Sequence, residues 1–243
     1  MNPSLFVFAV KLPFLSKETR NMDMKQAMVE RHMVRKYTDK PIPAEIVRKI
    51  NGRVSDINAK YHTDIKLVRD DGSAFNAAIK LVLAKGVRNY FILAGKAAPD
   101  LRERLGAAGA DLMLFCQTLG LNTWWVGGTY SHAKMAQKVP GDEVIGVIAV
   151  GYGATQGKPH KSKSAQEVAT YEGPEPEWFK NGVEAALLAP TALGKQAFKI
   201  EGAGDEVSIM YEPGTFAGED LGLVKYHFAL GAGSHSFCWK ATR

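Results

Sequence analysis

The stretch Ala107 to Leu119 constrains this chain more than any other, because read as a helix it is apolar on every side except at Asp111 and Gln117. A helix without a polar face cannot lie on a surface, so Ala98 to Leu119 is expected as a long helix in the centre of a core. A chain of 243 residues, 46% hydrophobic and 23% charged, has enough other elements to surround it without staples. Cys116 and Cys238 lie far apart and show no CxxC or Cys/His spacing. Neither a disulfide framework nor a metal site is expected, and a reducing cytoplasm is the simplest compartment.

The partners of that helix are legible by period. Glu143 to Gly151 reads as a core strand, and Asn89 to Ala94 as a shorter buried one. Thr63 to Arg69 alternates as a strand, and Thr123 to Val126 extends to the pair Gly127-Gly128. Helices are expected over Met24 to Met33, from Pro43-Ala44-Glu45 to about Asn58, and over Ser131 to Lys138. After the basic stretch Lys158 to Lys163 the pattern restarts. A helix over Trp178 to Leu188 leads through a turn, Ala189 to Ala192, to strands Ala197 to Ile200 and Glu206 to Tyr211. A helix over Glu219 to Leu230 and an extended Phe237-Cys238-Trp239 follow.

Asp111 to Gly120 followed by Trp124-Trp125 compares with Asp220 to Gly231 followed by Trp239. Each is a core helix that opens at Asp-Leu, closes at Leu-Gly and leads to an extended segment bearing tryptophan. The second half therefore reads as a degenerate copy of the first. The chain divides into residues 1–23, to which no role is assigned, a first half 24–165 and a second half 166–243. The apolar run Leu5 to Leu15 is too short to span a bilayer and holds Lys11, so no membrane segment is expected, nor a signal peptide.

A net charge of +6 suits anionic partners, whether nucleic acid, a membrane surface or a phosphorylated cofactor, and suits a merely solvated basic surface equally. Four stretches could carry chemistry. Arg31-His32-Met33-Val34-Arg35-Lys36-Tyr37-Thr38, before Pro41-Ile42-Pro43, could hold a phosphate through charge-assisted hydrogen bonds, or could simply close a helix with cations. In Lys158-Pro159-His160-Lys161-Ser162-Lys163, an extended chain would turn both ammonium groups of Lys161 and Lys163 to one side; the alternative is a solvated loop. Trp124-Trp125-Val126-Gly127-Gly128 permits close backbone approach of a flat ligand, or makes a turn beneath a packed tryptophan. Ala189-Pro190-Thr191-Ala192-Leu193-Gly194-Lys195-Gln196 is a small-residue turn that could approach a ring or merely connect two elements. No GxGxxG unit, P-loop, HExxH or GxSxG occurs, and Cys116 within an apolar helix reads as a packed hydrophobe. Nucleic-acid binding would want aromatics interleaved with the cations, and none are.

Taken together and in order, these stretches resemble the nitroreductase family, and specifically its TM nitroreductase-like branch, over most of Met24 to Trp239. The resemblance implies an α+β, three-layer fold with a mostly antiparallel sheet flanked by helices, built as two fused halves that form a pseudo-dimer. It implies FMN as cofactor, with its phosphate at Arg31, His32, Lys161 and Lys163. Met33 stands where a serine is usual, and Arg35 where a cation faces the pyrimidine edge. Asn76 would supply the pyrimidine-contacting asparagine. Trp125, Val126, Gly127 and Gly128 form the glycine turn whose N–H meets flavin N5, and Pro190, Thr191, Ala192 and Gly194 are the segment that ordinary dimers borrow from the partner subunit. Gly194 replaces a usual asparagine. No catalytic side chain and no metal is implied. The resemblance further implies electron transfer from NAD(P)H to a small nitroaromatic, quinone or similar oxidised compound, in a monomeric pseudo-dimer or a homodimer, with no nucleic-acid or membrane partner. A flavin binder without turnover and a basic nucleic-acid-binding protein are the alternative readings.

Overall fold

The helix without a polar face is covered on every side. The computed structural model describes residues 22–240, so the run Leu5 to Leu15 lies outside the described residues. In chain order they form α1 (Met24–Glu30), α2 (Ala44–Tyr61), β1 (Lys66–Val68), α3 (Ala77–Val82), β2 (Tyr90–Gly95), α4 (Leu101–Thr118), β3 (Asn122–Val126), α5 (His132–Lys138) and β4 (Glu143–Gly151). There follow α6 (Ala165–Val168), β5 (Ala169–Glu172), α7 (Glu177–Ala186), β6 (Phe198–Ala203), β7 (Glu206–Tyr211), α8 (Ala217–Ala232) and β8 (Cys238–Trp239).

All of residues 105–117 in α4 except Ala107 and Phe115 are buried, beneath α1, α2, α8 and strands β2, β3 and β4. The two polar exceptions in it are treated differently. Asp111 accepts a two-pronged pair from Arg53 of α2, both bonds 2.7 Å, which compensates a carboxylate that would otherwise be strongly destabilising inside a core. The side-chain oxygen of Gln117 is left without a partner. Against α8 the fit is closest: a Cβ on Gly106 would run into the Glu219 carbonyl oxygen, and a Cβ on Gly222 into that of Glu103. Glycine at both positions lets the two helix backbones touch.

The strands divide into two sheets of four. The first, ordered β1-β2-β4-β3, is antiparallel throughout. Its period-two alternation serves both faces. Phe91, Leu93, Ile148 and Val150 join the core shared with α2 and α4, while Tyr90, Ile92, Val147 and Ala149 pack with Phe75, Trp124 and Met135 on the other side. The second, ordered β5-β6-β7-β8, pairs β6 and β7 antiparallel and its outer strands parallel. Its inner face (Phe198, Ile200, Val207, Ile209) joins Phe179 and Phe228 in the core, while Lys199 and Glu201 face solvent.

The repeat is visible in the topology. The order α2, β1, β2, α4, β3 recurs as α7, β6, β7, α8, β8, and both β1/β2 and β6/β7 are antiparallel hairpins. The second half has no counterpart of β4. Strands β2 and β3 run parallel to each other across β4, and β7 and β8 keep that parallel relation as direct neighbours. The α+β class and the antiparallel sheet with helices on both faces hold.

Two local expectations change, and one helix is added. The first helix ends at Glu30 rather than Met33, because Val34 N–H donates to the Thr123 carbonyl at 3.2 Å and Met33 forms a parallel bridge with Thr123. Tertiary pairing with β3 overrides the helical spacing. The first strand shortens to Lys66–Val68 because the Asn58 side chain bonds Thr63 and Ile65 and ties those residues into a turn. Residues 77–82, to which the sequence reading assigns no element, form helix α3, started by the Asn76 side chain.

Candidate functional site

The strip that follows α1 carries the most unusual group. Arg31 is only 6% exposed, its Nε has no hydrogen-bond partner and no carboxylate perturbs it. Burial pulls its pKa down to about 10, so it is still charged at neutral pH. A buried guanidinium without a counter-charge is strongly unfavourable, and an anion reaching it would relieve that cost. Burial, with help from Arg31, also lowers the pKa of His32.

The loop after β4 folds back over this strip. Gly157 lies against His32 and the Met33 carbonyl, and His160 Nε2 is 3.0 Å from the Leu187 carbonyl oxygen. The organiser is Gln196, 1% exposed. Its Nε2 donates to the Leu187 carbonyl at 2.7 Å and to Ser162 Oγ at 2.9 Å, while its Oε1 accepts the Lys163 N–H at 2.7 Å. Lys163 Nζ donates to the Gln196 carbonyl at 2.9 Å. The simple Lys-Ser-Lys alternation therefore does not hold: Ser162 and Lys163 both turn toward Gln196, and Lys161 is exposed. His227 of α8 is 1% exposed, with Nδ1 2.8 Å from the Leu223 carbonyl and Nε2 unpartnered. Burial drives its pKa down to about 3, and Arg31 and His160 add to that effect. This buried imidazole is neutral and presents an acceptor.

Further along, the Arg35 guanidinium lies 5.3 Å from the Trp124 ring centre, and Trp124 stacks on Phe75 at 5.8 Å. Asn76 adjoins that stack, exposed, with its side-chain oxygen accepting the Ile79 N–H at 2.9 Å. Trp125 turns the other way and is half-buried against α4. Beyond Val126, a Cβ on Gly127 would sit 2.6 Å from the Phe216 ring, while one on Gly128 would meet nothing closer than 3.9 Å. Backbone is thus exposed to an approaching group at Gly128.

The second half supplies the turn. Ala192 N–H donates to both carboxylate oxygens of Asp220 at 3.0 Å, and Tyr211 O–H donates to Asp220 at 2.6 Å. Burial raises the Asp220 pKa to about 6, against those two hydrogen bonds. Thr191 Oγ1 accepts the Gln196 N–H at 3.1 Å. Leu193 stands 89% exposed at φ 55°, followed by exposed Gly194 at φ 65°. Pro190 and Ala192 are half-buried.

Arg31, His32, Met33, Lys161, Lys163, Pro190, Thr191, Ala192 and Gly194 thus form one connected region, with Gly127 and Gly128 joined to it through the first turn of α8. Arg35 and Asn76 flank it on either side of the Phe75–Trp124 stack. Sequence reading missed Gln196, His227, Phe216 and Asp220. Gln196 closes the small-residue turn and His160 lies within the basic stretch, so both were within reach; His227 in an apolar helix gave no signal. Among the described residues no His, Cys, Asp and Glu group is placed to hold a metal. Burial pushes the Cys116 thiol well up, which leaves it inert. A cleft of about 420 Å³ between α2, α4, α8 and β8 shares no residue with this region.

The sequence matches the family model described as "Putative TM nitroreductase" over residues 23–232. The fold is similar to that of a protein from Thermotoga maritima described as a "putative nitroreductase", at 21% identity and a TM-score of 0.64, covering 90% of this chain and 88% of that one. A weaker similarity is to a protein from Desulfovibrio desulfuricans described as a "putative nitroreductase in complex with FMN", at 19% identity and a TM-score of 0.48, over 63% of this chain and 98% of that one. No curated protein matches the sequence. The chain belongs to the nitroreductase family, in the branch that the matching model describes.

Proposed function

We propose that this chain is an FMN-dependent oxidoreductase that passes electrons from NAD(P)H to a small nitroaromatic, quinone or similar oxidised compound in the cytoplasm. The observation that carries the reading is the buried, unpartnered guanidinium of Arg31, which fits a phosphate. His32 and Lys161 add donors at its rim, Lys163 positions Gln196 and reaches the anion's field, and Met33 lies along the chain of the bound group. Gly127 and Gly128, with Trp125 and Val126 before them, offer backbone to a ring; Arg35 and Asn76 address its polar edge. The second half closes the site with Pro190, Thr191, Ala192 and Gly194. Bound FMN would supply the two-electron chemistry, and the protein's part is binding, orientation and exclusion of water. No side chain is required as acid or base.

The division at 165/166 falls at the first residue of α6, so 24–165 serves as the flavin-binding half and 166–243 as the half that completes it. Among the described residues there is one such strip, and titration of the apoprotein with FMN should therefore saturate at one equivalent per chain. Two equivalents, or none, would contradict the pseudo-dimer with a single competent site. The fused halves make a second copy unnecessary to the site, whether the chain acts as a monomer or pairs again.

A further inference from the structure

The internal repeat assigns a meaning to the 420 Å³ cleft. The helices α4 and α8 meet as two-fold mates: Gly106 faces the Glu219 carbonyl as Gly222 faces that of Glu103, and aligning these glycines places Arg104 on Asp220 and Gly109 on Lys225. The equivalence extends to function. Asp220 holds the turn after α7 through the Ala192 N–H, and Arg104 holds the turn after α2 by donating to the Tyr61 and His62 carbonyls at 2.9 and 2.5 Å. The turn after α2, which starts at His62, is therefore the counterpart of Pro190 to Gly194, and the cleft beside it, lined by Lys60 and Tyr61 at the end of α2, is the counterpart of the flavin side of the molecule.

In the first half Trp125 packs against Gly109 and fills the space on α4; on α8 the equivalent position is Lys225, and the cleft stays open. Lys225 Nζ lies 5.6 Å from the ring centre of Trp239, which is 39% exposed, and Lys60 Nζ lies 4.9 Å from the Tyr61 ring. Three cations (Lys60, Arg104, Lys225) and one carboxylate (Glu103, paired with Lys225 at 2.6 Å) line it, together with Tyr61, Tyr226 and Trp239. The excess is cationic, and the walls are aromatic. None of residues 173–176, which lead into α7 as the Arg31 strip leads into α2, lines it, so the cleft has no phosphate cradle.

We infer that this cleft is a second ligand site, for a flat aromatic carboxylate of one or two fused rings, stacked on Trp239 with its anionic group at Lys225 and Lys60. A volume of this size fits such a ligand, and cation and ring together select it over a neutral or an aliphatic one. The inference rests on the internal repeat and not on flavin binding in the first half. The test is calorimetric titration of the full, FMN-supplemented chain with 2-naphthoate. One equivalent should bind. Trp239→Ala and Lys225→Gln should each weaken it by about tenfold or more, Trp239→Phe should keep it within about threefold, and neutral 2-naphthol should bind about tenfold more weakly than 2-naphthoate. FMN affinity and the circular dichroism spectrum should be unchanged in all three variants. No binding by the wild type, an unchanged affinity in either Trp239→Ala or Lys225→Gln, or equal binding of 2-naphthol would overturn the assignment. Because 2-naphthoate is titrated whether or not FMN is retained, a chain that binds no flavin would fail the reading above and leave this one standing.

Discussion

Arg31→Met should weaken FMN binding by about 100-fold or more while raising the melting temperature of the apoprotein. Both effects come from one fact: the guanidinium is buried with an unpartnered Nε and a depressed pKa. Two charge-assisted hydrogen bonds to a phosphate contribute about 3–6 kcal/mol in all, which sets the loss in affinity. Without a ligand the same cation is a desolvated charge, and replacing it by an apolar side chain of similar length removes about 1–3 kcal/mol of destabilisation. For a chain of this size that corresponds to a rise of roughly 3–10 °C. FMN fluorescence titration and thermal melts of the apoprotein read the two effects separately. A fall in both affinity and melting temperature would mean that Arg31 is structural; unchanged affinity would place the phosphate elsewhere.

The second large effect lies in the seam between the halves. Gly222→Ala puts a methyl group into the Glu103 carbonyl, a backbone atom that cannot turn away. The helices α4 and α8 must separate, at a cost of about 3–5 kcal/mol, at the severe end of what overpacking does. The melting temperature should fall by roughly 10 °C. Because the turn at Pro190 to Gly194 hangs on α8 through Asp220, FMN affinity should fall by about tenfold as well. Gly52→Ala is the control: it lies in α2 with open space around it, and should stabilise by about 0.5–1 kcal/mol through helix propensity alone. If Gly222→Ala melts like Gly52→Ala, the halves are not held by this crossing.

These two residues also mark what the sequence could and could not convey. The central helix was legible because a run such as Ala107 to Leu119 has no polar side to expose, and α4 followed almost to the residue. Strands β4 and β7 were legible for the same reason and match their expected limits. Arg31 was legible as a cation near a helix end, but not as a buried one, because the groups next to its strip, His227 of α8 and Gly157 of the loop after β4, lie more than 120 residues away. The end of α1 was misplaced because pairing with Thr123 decides it, and nothing local at Met33 records that pairing. Gln196 binds three segments at once, yet in sequence it is one polar residue after a turn. The repeat read from Asp-Leu, Leu-Gly and tryptophan sets Asp220 on Asp111, seven residues away from the register in which α4 and α8 cross, where Asp220 matches Arg104; the second half has lost the strand equivalent to β4 and its spacing with it.

A visible absorption spectrum settles the chemistry most directly. The purified chain is supplemented with FMN, desalted, and recorded before and after anaerobic NADH or NADPH, with a quinone added last. Flavin bands should survive desalting, bleach with at least one nicotinamide and return with the quinone. Desalted protein without flavin bands would contradict the assignment of the Arg31 strip as a flavin site, and bands that neither nicotinamide bleaches would contradict the proposed electron donor.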